Sequence, residues 1–145
     1  MKYILTITLA LFVTTNAFSD TSFVGKKLMC VGKFNGYHLL KSFEFVSTKK
    51  VLTASYHETM SKPLYSSTDL AFTSREIWMT SATLEGWGRY ETILDRRTLK
   101  LNYVTVDKTV HMNCDLFNGT SENLDKLMIE QWNINRKNTQ NKNKL

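Results

Sequence analysis

The chain has 145 residues with 19 Lys and Arg against 13 Asp and Glu, a net charge of +6 and a pI of about 9.3. Residues 20–132 hold 14 of those cations against all 13 acids, so the excess lies almost wholly at the carboxyl end and no basic stripe marks the body as a dedicated nucleic-acid surface. Two cysteines without neighbouring ligand residues argue against structural zinc, and the glycine pattern contains no phosphate loop.

The amino terminus reads as an export signal. Lys2 gives a short positive start, Ile4 to Val13 an apolar run, and Ala17 and Ser19 small residues before a cut. The run is too short to anchor in a bilayer. Residues 1–19 are therefore expected to be a signal peptide, with the mature protein periplasmic or secreted. In that oxidising setting Cys30 and Cys114, 84 positions apart, are expected to form a disulfide. Closing a loop of that length stabilises by roughly 4 to 5 kcal/mol in the chain-entropy account.

Residues 20–120 read as an all-β domain. Strand one, about 24 to 32, offers Leu28 and Cys30 to one side. In "FEFVSTKKVLTASY" a bend at Ser47–Lys50 is expected to oppose Phe45 to Leu52 and Phe43 to Ala54, with Glu44 and Thr53 pointing out. In "DLAFTSREIWM" a loop at Thr73–Glu76 pairs Phe72 with Ile77 and Leu70 with Met79. The charged stretch "LEGWGRYETILDRRTLKL" reads as scaffold: a hairpin loop at "DRRT" sets Leu94 against Leu99, Thr92 against Leu101 and Tyr90 against Tyr103. A turn at Asp107–Lys108 then brings Tyr103 to Met112, Leu101 to Cys114 and Leu99 to Leu116. About eight short strands in sequence predict an antiparallel meander, most simply a small barrel or half-barrel, closed if the cysteine-bearing first and last strands are neighbours; a two-sheet sandwich is the rival.

After the turn "FNGT", the segment 121–132 changes to helical spacing, with Leu124, Leu127, Met128 and Trp132 on one stripe and Ser121 as a cap. Its apolar stripe is expected on the barrel, with Ile93, Val104 and Trp78 as the landing site. Residues 133–145, polar and basic through Arg136, Lys137, Lys142 and Lys144, are expected to be a disordered tail.

Chemistry is hard to find along this chain. His38, His57 and His111 lack paired ligand spacing, and neighbouring strand residues such as His57 and Glu58 point to opposite faces. Glu85, Glu91 and Asp95 fit turn and surface roles. The Ser47–Lys50 spacing of "STKK" sits at a bend without companion motifs, and "GWG" lacks a strand-to-helix context. No catalytic residue, metal ligand or cofactor is therefore assigned. The aromatics suggest a cup for a small apolar ligand, with Trp78, Trp87 and Tyr90 at the rim of an open barrel mouth.

"GKKLMC" at 25–30, "FEFVSTKKV" at 43–51 and "ILDRRTLKL" at 93–101 resemble small exported proteins of SAR11-type marine alphaproteobacteria, over most of residues 25–116. The resemblance implies a periplasmic location and brings no assigned activity. The placement of the two cysteines is also similar to periplasmic C-type lysozyme inhibitors, small barrels with a like bridge. Their Ser-Gly inhibitory loop has no counterpart in this sequence, so no residue is carried over. The expected function is a non-enzymatic binding or accessory module for a small apolar ligand or a protein partner. The alternatives are an envelope protein whose helix and basic tail touch anionic surfaces, and an inhibitor of an envelope hydrolase.

Overall fold

The computed structural model describes residues 21–81, 90–105 and 107–142; the expected signal peptide and Trp87 lie outside them. Eight strands, β1 (Lys27–Phe34), β2 (Tyr37–Phe45), β3 (Lys50–His57), β4 (Leu64–Phe72), β5 (Glu76–Ser81), β6 (Tyr90–Asp95), β7 (Lys100–Val104) and β8 (Thr109–Phe117), pair in chain order into a closed antiparallel barrel. Closure comes from β8 lying against β1 with Cys30 opposite Cys114, and those two residues are disulfide-bonded. A closed up-and-down barrel leaves no free strand edge. The rival sandwich is thereby excluded.

Turn chemistry fixes each register. Asn35 and Gly36, at φ of 53° and 83°, form a two-residue turn between Phe34 and Tyr37, the conformation an Asn-Gly pair favours. The β4–β5 hairpin has the expected register, Phe72 to Ile77 and Leu70 to Met79, because the Thr73 hydroxyl accepts hydrogen bonds from the Arg75 and Glu76 amides.

Three hairpins differ from expectation. In β2–β3 the pairing is displaced by one residue: Phe45 meets Val51 and Phe43 meets Thr53. The Ser47 side chain accepts from the amides of Lys49 and Lys50, tightening the bend. A shift of one reverses the faces. Leu52 is therefore outside and 46% exposed, Val51 is core, and Thr53 is on the inward side. In β6–β7 and β7–β8 the displacement is two residues, Leu94 meeting Leu101, Thr92 meeting Tyr103 and Leu101 meeting Met112, so the inward face survives. Asp95 accepts from the Arg97 and Thr98 amides and Leu99 takes a left-handed φ of 53°, which makes the first loop longer than "DRRT". Thr105, bonded to Lys108 through backbone and hydroxyl, closes the second turn one position earlier than an Asp107–Lys108 turn would.

The buried inward core comprises Leu28, Cys30, Phe43, Phe45, Val51, Ile77, Met79, Leu94, Leu101 and Met112, with partly buried Leu70, Phe72 and Tyr103 packed against it. One end of the barrel, carrying the loops at 46–49, 73–75 and 96–99, is stoppered by Phe23 from the amino-terminal 3-10 turn Thr21–Phe23. Its ring meets Phe45 edge-on at 5.3 Å, with Lys26 Nζ 4.8 Å and the Arg96 guanidinium 5.7 Å from its centroid. This is the dry end.

A helix, α1 (Ser121–Lys142), lies across the outside. It extends ten residues beyond the expected end at 132, through most of the segment expected to be a disordered tail. Tertiary contacts hold those turns in place: the Trp132 indole donates to the His57 carbonyl at 2.8 Å, Asn135 is buried, and the Thr139 hydroxyl donates to Glu58 Oε2 at 2.5 Å. Arg136 covers the Trp132 ring. The helix docks on its own barrel, but over β1, β2 and β3 rather than at Ile93, Val104 and Trp78. Leu124, Met128 and Trp132 pack on Leu40, Ala54 and Tyr56, residues whose outward aim follows from the actual β2–β3 register. Thr120 rather than Ser121 caps it, accepting from the Asn123 amide. Asp125 accepts from the hydroxyls of both Tyr56 and Tyr65 at 2.6 and 2.9 Å. Burial and that carboxylate hold the Tyr56 hydroxyl well above its ordinary pKa.

Candidate functional site

Strand alternation sends Leu39, Lys41, Phe43 and Phe45 of β2 to the inside and Leu40 and Ser42 to the outside. The sequence "YHLLKSFEF" thus puts a lysine on an otherwise apolar inward row. Lys41 is 9% exposed. Its register neighbours are Cys30 on β1 and Ser55 on β3. Its ammonium lies 4.1 Å from the ring centroid of Tyr103, contributed by β7 on the opposite wall. The side chain therefore crosses the barrel. Among the described residues it makes no ion pair or hydrogen bond, and it is the one Lys, Arg, Asp or Glu on the inward positions of the strands.

An amine so placed has given up most of its contact with water without gaining an anion among the described residues. Burial pulls its pKa from the ordinary 10.5 down to about 8. The Tyr103 face returns part of the lost solvation as a cation–π contact. A ring accepts no strong hydrogen bond, so it does not replace an oxygen.

Above the dry end the inward positions turn polar. Thr68 and Thr92 are buried, at 4% and 6% exposure, and Thr53 and Ser55 are half-buried. Ser66, inward by alternation with Thr68 and Leu70, is exposed, and Thr53 and Ser66 hydroxyls are 2.6 Å apart across the β3–β4 ladder. Water therefore reaches the inward wall on the β3–β4 side. On the other flank of that end, Phe34 and Tyr37 stack edge-on against the His57 ring at 5.9 and 5.8 Å, and the ammonium of Lys108 sits 4.9 Å from the Phe34 centroid. The barrel is thus closed by carbon at one end and lined toward the other by hydroxyls, one amine and Tyr103 beside the apolar Leu39, Val110 and Met112.

The expected rim residues fare differently. Trp78 lies between the core residues Ile77 and Met79, so alternation turns it outward, where its indole donates to Glu76 Oε2 at 3.1 Å. It does not line the interior. Tyr90 opens β6 opposite Ser81, at the hydroxyl-lined end; Trp87 is outside the described residues. The three histidines stay apart: His111 bonds Asn102 on the outer face at 2.8 Å, His57 bonds Thr59, and His38 lies 3.9 Å from Glu58. Among the described residues no three His, Cys, Asp or Glu converge as a metal site, and no helix is long and apolar enough to cross a membrane. A shallow outer groove beside β1 and β8, floored by Val31, Lys33, His38 and His111, lies against solvent and holds no buried polar group aimed into it.

Sequence reasoning centred on aromatics misses Lys41. The signal for it is the alternation of "LLKSFEF" itself, in which a strand with one core face carries a cation on that face. Comparison of the chain with known protein families, with curated proteins and with solved structures finds no match.

Proposed function

We propose that this chain is a non-enzymatic binding module of an oxidising, extracytoplasmic compartment, and that it holds a small ligand in the polar half of its barrel. The observation that carries the reading is the asymmetry of the inward wall, with Phe23, Phe45 and Val51 sealing one end and Lys41, Thr53, Ser55, Ser66 and Tyr103 facing the other. A barrel of eight strands has room for its own side chains or for one small ligand. The Cys30–Cys114 bond supports the compartment, since such bonds persist where thiols are not kept reduced.

The test is native mass spectrometry of the protein purified from its own compartment, with and without mild denaturation. The reading expects a retained small-molecule mass that is lost on unfolding. A chain that carries no such mass, and that takes up no probe amphiphile when offered one, contradicts it.

A further inference from the structure

We propose, resting on the binding-module reading above, that the ligand is a small organic monocarboxylate whose carboxylate pairs with the Lys41 ammonium between β2 and β7, its apolar body lying against Leu39, Tyr103 and Met112. Lys41 has no anionic partner among the described residues. Its side chain is buried, its ammonium lies against the face of Tyr103, and no described carboxylate shares the interior. A protein that only needed to fill this volume would do so with methionine or leucine, which carry no desolvation penalty. The chain instead keeps a cation where an anion of outside origin is the missing partner.

The charge of the ligand follows from the count of cations. Lys26 and Arg96 sit with Phe23 at the stoppered end, and Lys108 lies outside by Phe34, so among the described residues one inward ammonium faces one site. A phosphate monoester carries close to two charges at neutral pH and is usually met by an Arg fork or several donors. A carboxylate needs one cation and accepts further hydrogen bonds from hydroxyls of the kind that Thr53, Ser55 and Thr92 supply. Leu39 and Met112, at 6% and 2% exposure, provide the apolar wall beside it.

The experiment is calorimetric titration of the full mature protein with octanoate and with 1-octanol at about pH 6.5 and about pH 9.5, where Lys41 is charged and largely neutral. Octanoate is expected to bind roughly ten- to a hundredfold more tightly than octanol at the lower pH, the range of a charged hydrogen-bonded pair, and to lose most of that advantage at the higher. Lys41→Met should remove the preference while retaining octanol. Equal affinity of the acid and the alcohol at the lower pH, or an acid preference that survives in Lys41→Met, overturns the carboxylate assignment and leaves the binding module standing. Failure of both probes to bind overturns the assignment and the binding-module reading together. An acid preference in the unsubstituted protein that is the same at both pH values likewise overturns the assignment, without need of any variant.

Discussion

Replacing Lys41 with Met should make the ligand-free protein more stable, against the usual direction for a core substitution. The folded state holds this amine with a pKa of about 8 instead of 10.5, and a fall of that size corresponds to about 3 kcal/mol of preference for the neutral form. The sign follows from proton counting. Below pH 8 the amine is charged in both folded and unfolded chains, and the folded state bears the full penalty. Between about 8 and 10.5 the folded chain binds fewer protons than the unfolded one, so stability rises with pH and the penalty fades. Met fills nearly the same volume, and its thioether retains contact with the Tyr103 ring, while the lost cation–π contact subtracts about 1 kcal/mol. A net gain of about 2 kcal/mol is expected at pH 6, declining toward zero or below by pH 10. Urea unfolding with the disulfide intact, followed by far-ultraviolet circular dichroism at both pH values, measures it. A Lys41→Met protein less stable than the parent at the lower pH, or a difference that does not move with pH, refutes the reasoning.

Other expectations concern the frame around the site. Lowered by the Arg97 and Thr98 amides first and the Arg75 guanidinium after them, the Asp95 pKa is about 2 instead of 3.8; its contribution is complete above about pH 4 and lost as pH falls toward 2. Acid titration of Asp95→Asn beside the parent should therefore show two stability curves that converge in that window, and parallel curves would contradict the assignment. Met128 is fully buried between α1 and the barrel, so Met128→Ala should cost about 3 kcal/mol and speed amide exchange along α1. Unchanged exchange in α1 would mean the helix does not depend on this contact. Removing the bridge as Cys30→Ala with Cys114→Ala should lower stability by roughly 4 kcal/mol, since it frees a loop of 84 positions in the unfolded chain. A loss below about 1 kcal/mol would show that unbridged strands close the barrel unaided.

The architecture is readable from the sequence because its causes are local. Hairpin rhythm, an even pair of cysteines and a change to helical period after residue 120 suffice for a closed meander with an outer helix. Register is readable only where a side chain dictates the turn, as Thr73 does. Ser47 and Asp95 also build their loops through side-chain acceptance, but the number of residues they enclose is not set by composition. A displacement of two residues is harmless to the faces, as at Leu94 and Leu101, whereas the displacement of one at Phe45 exchanges Val51 for Leu52 in the core and hides the landing site of the helix at Ala54 and Tyr56. Asn35-Gly36 is the strongest turn signal in the chain, and it would have bounded β1 and β2 directly. The last turns of α1 are not legible because their order comes from partners distant in sequence, His57 and Glu58, which no local composition reveals.

The site is half legible for a related reason. An open barrel end is expected from the sequence, but Trp78 does not belong on its rim, since alternation with Ile77 and Met79 turns it out. Lys41 needs the same alternation argument applied to β2, where the row Leu39, Lys41, Phe43, Phe45 contains it. The cross-barrel encounter with Tyr103, 62 positions away, follows only from closure.

The most direct measurement of a buried charge that has no anion beside it among the described residues is a nuclear magnetic resonance titration of the lysine side chains, followed at the ε-carbon and ζ-nitrogen. One lysine should titrate at about 8, show proximity to the Tyr103 ring, and be missing from the Lys41→Met spectrum. If every lysine titrates near 10.5, the amine is in water and the barrel interior holds no charge awaiting a partner.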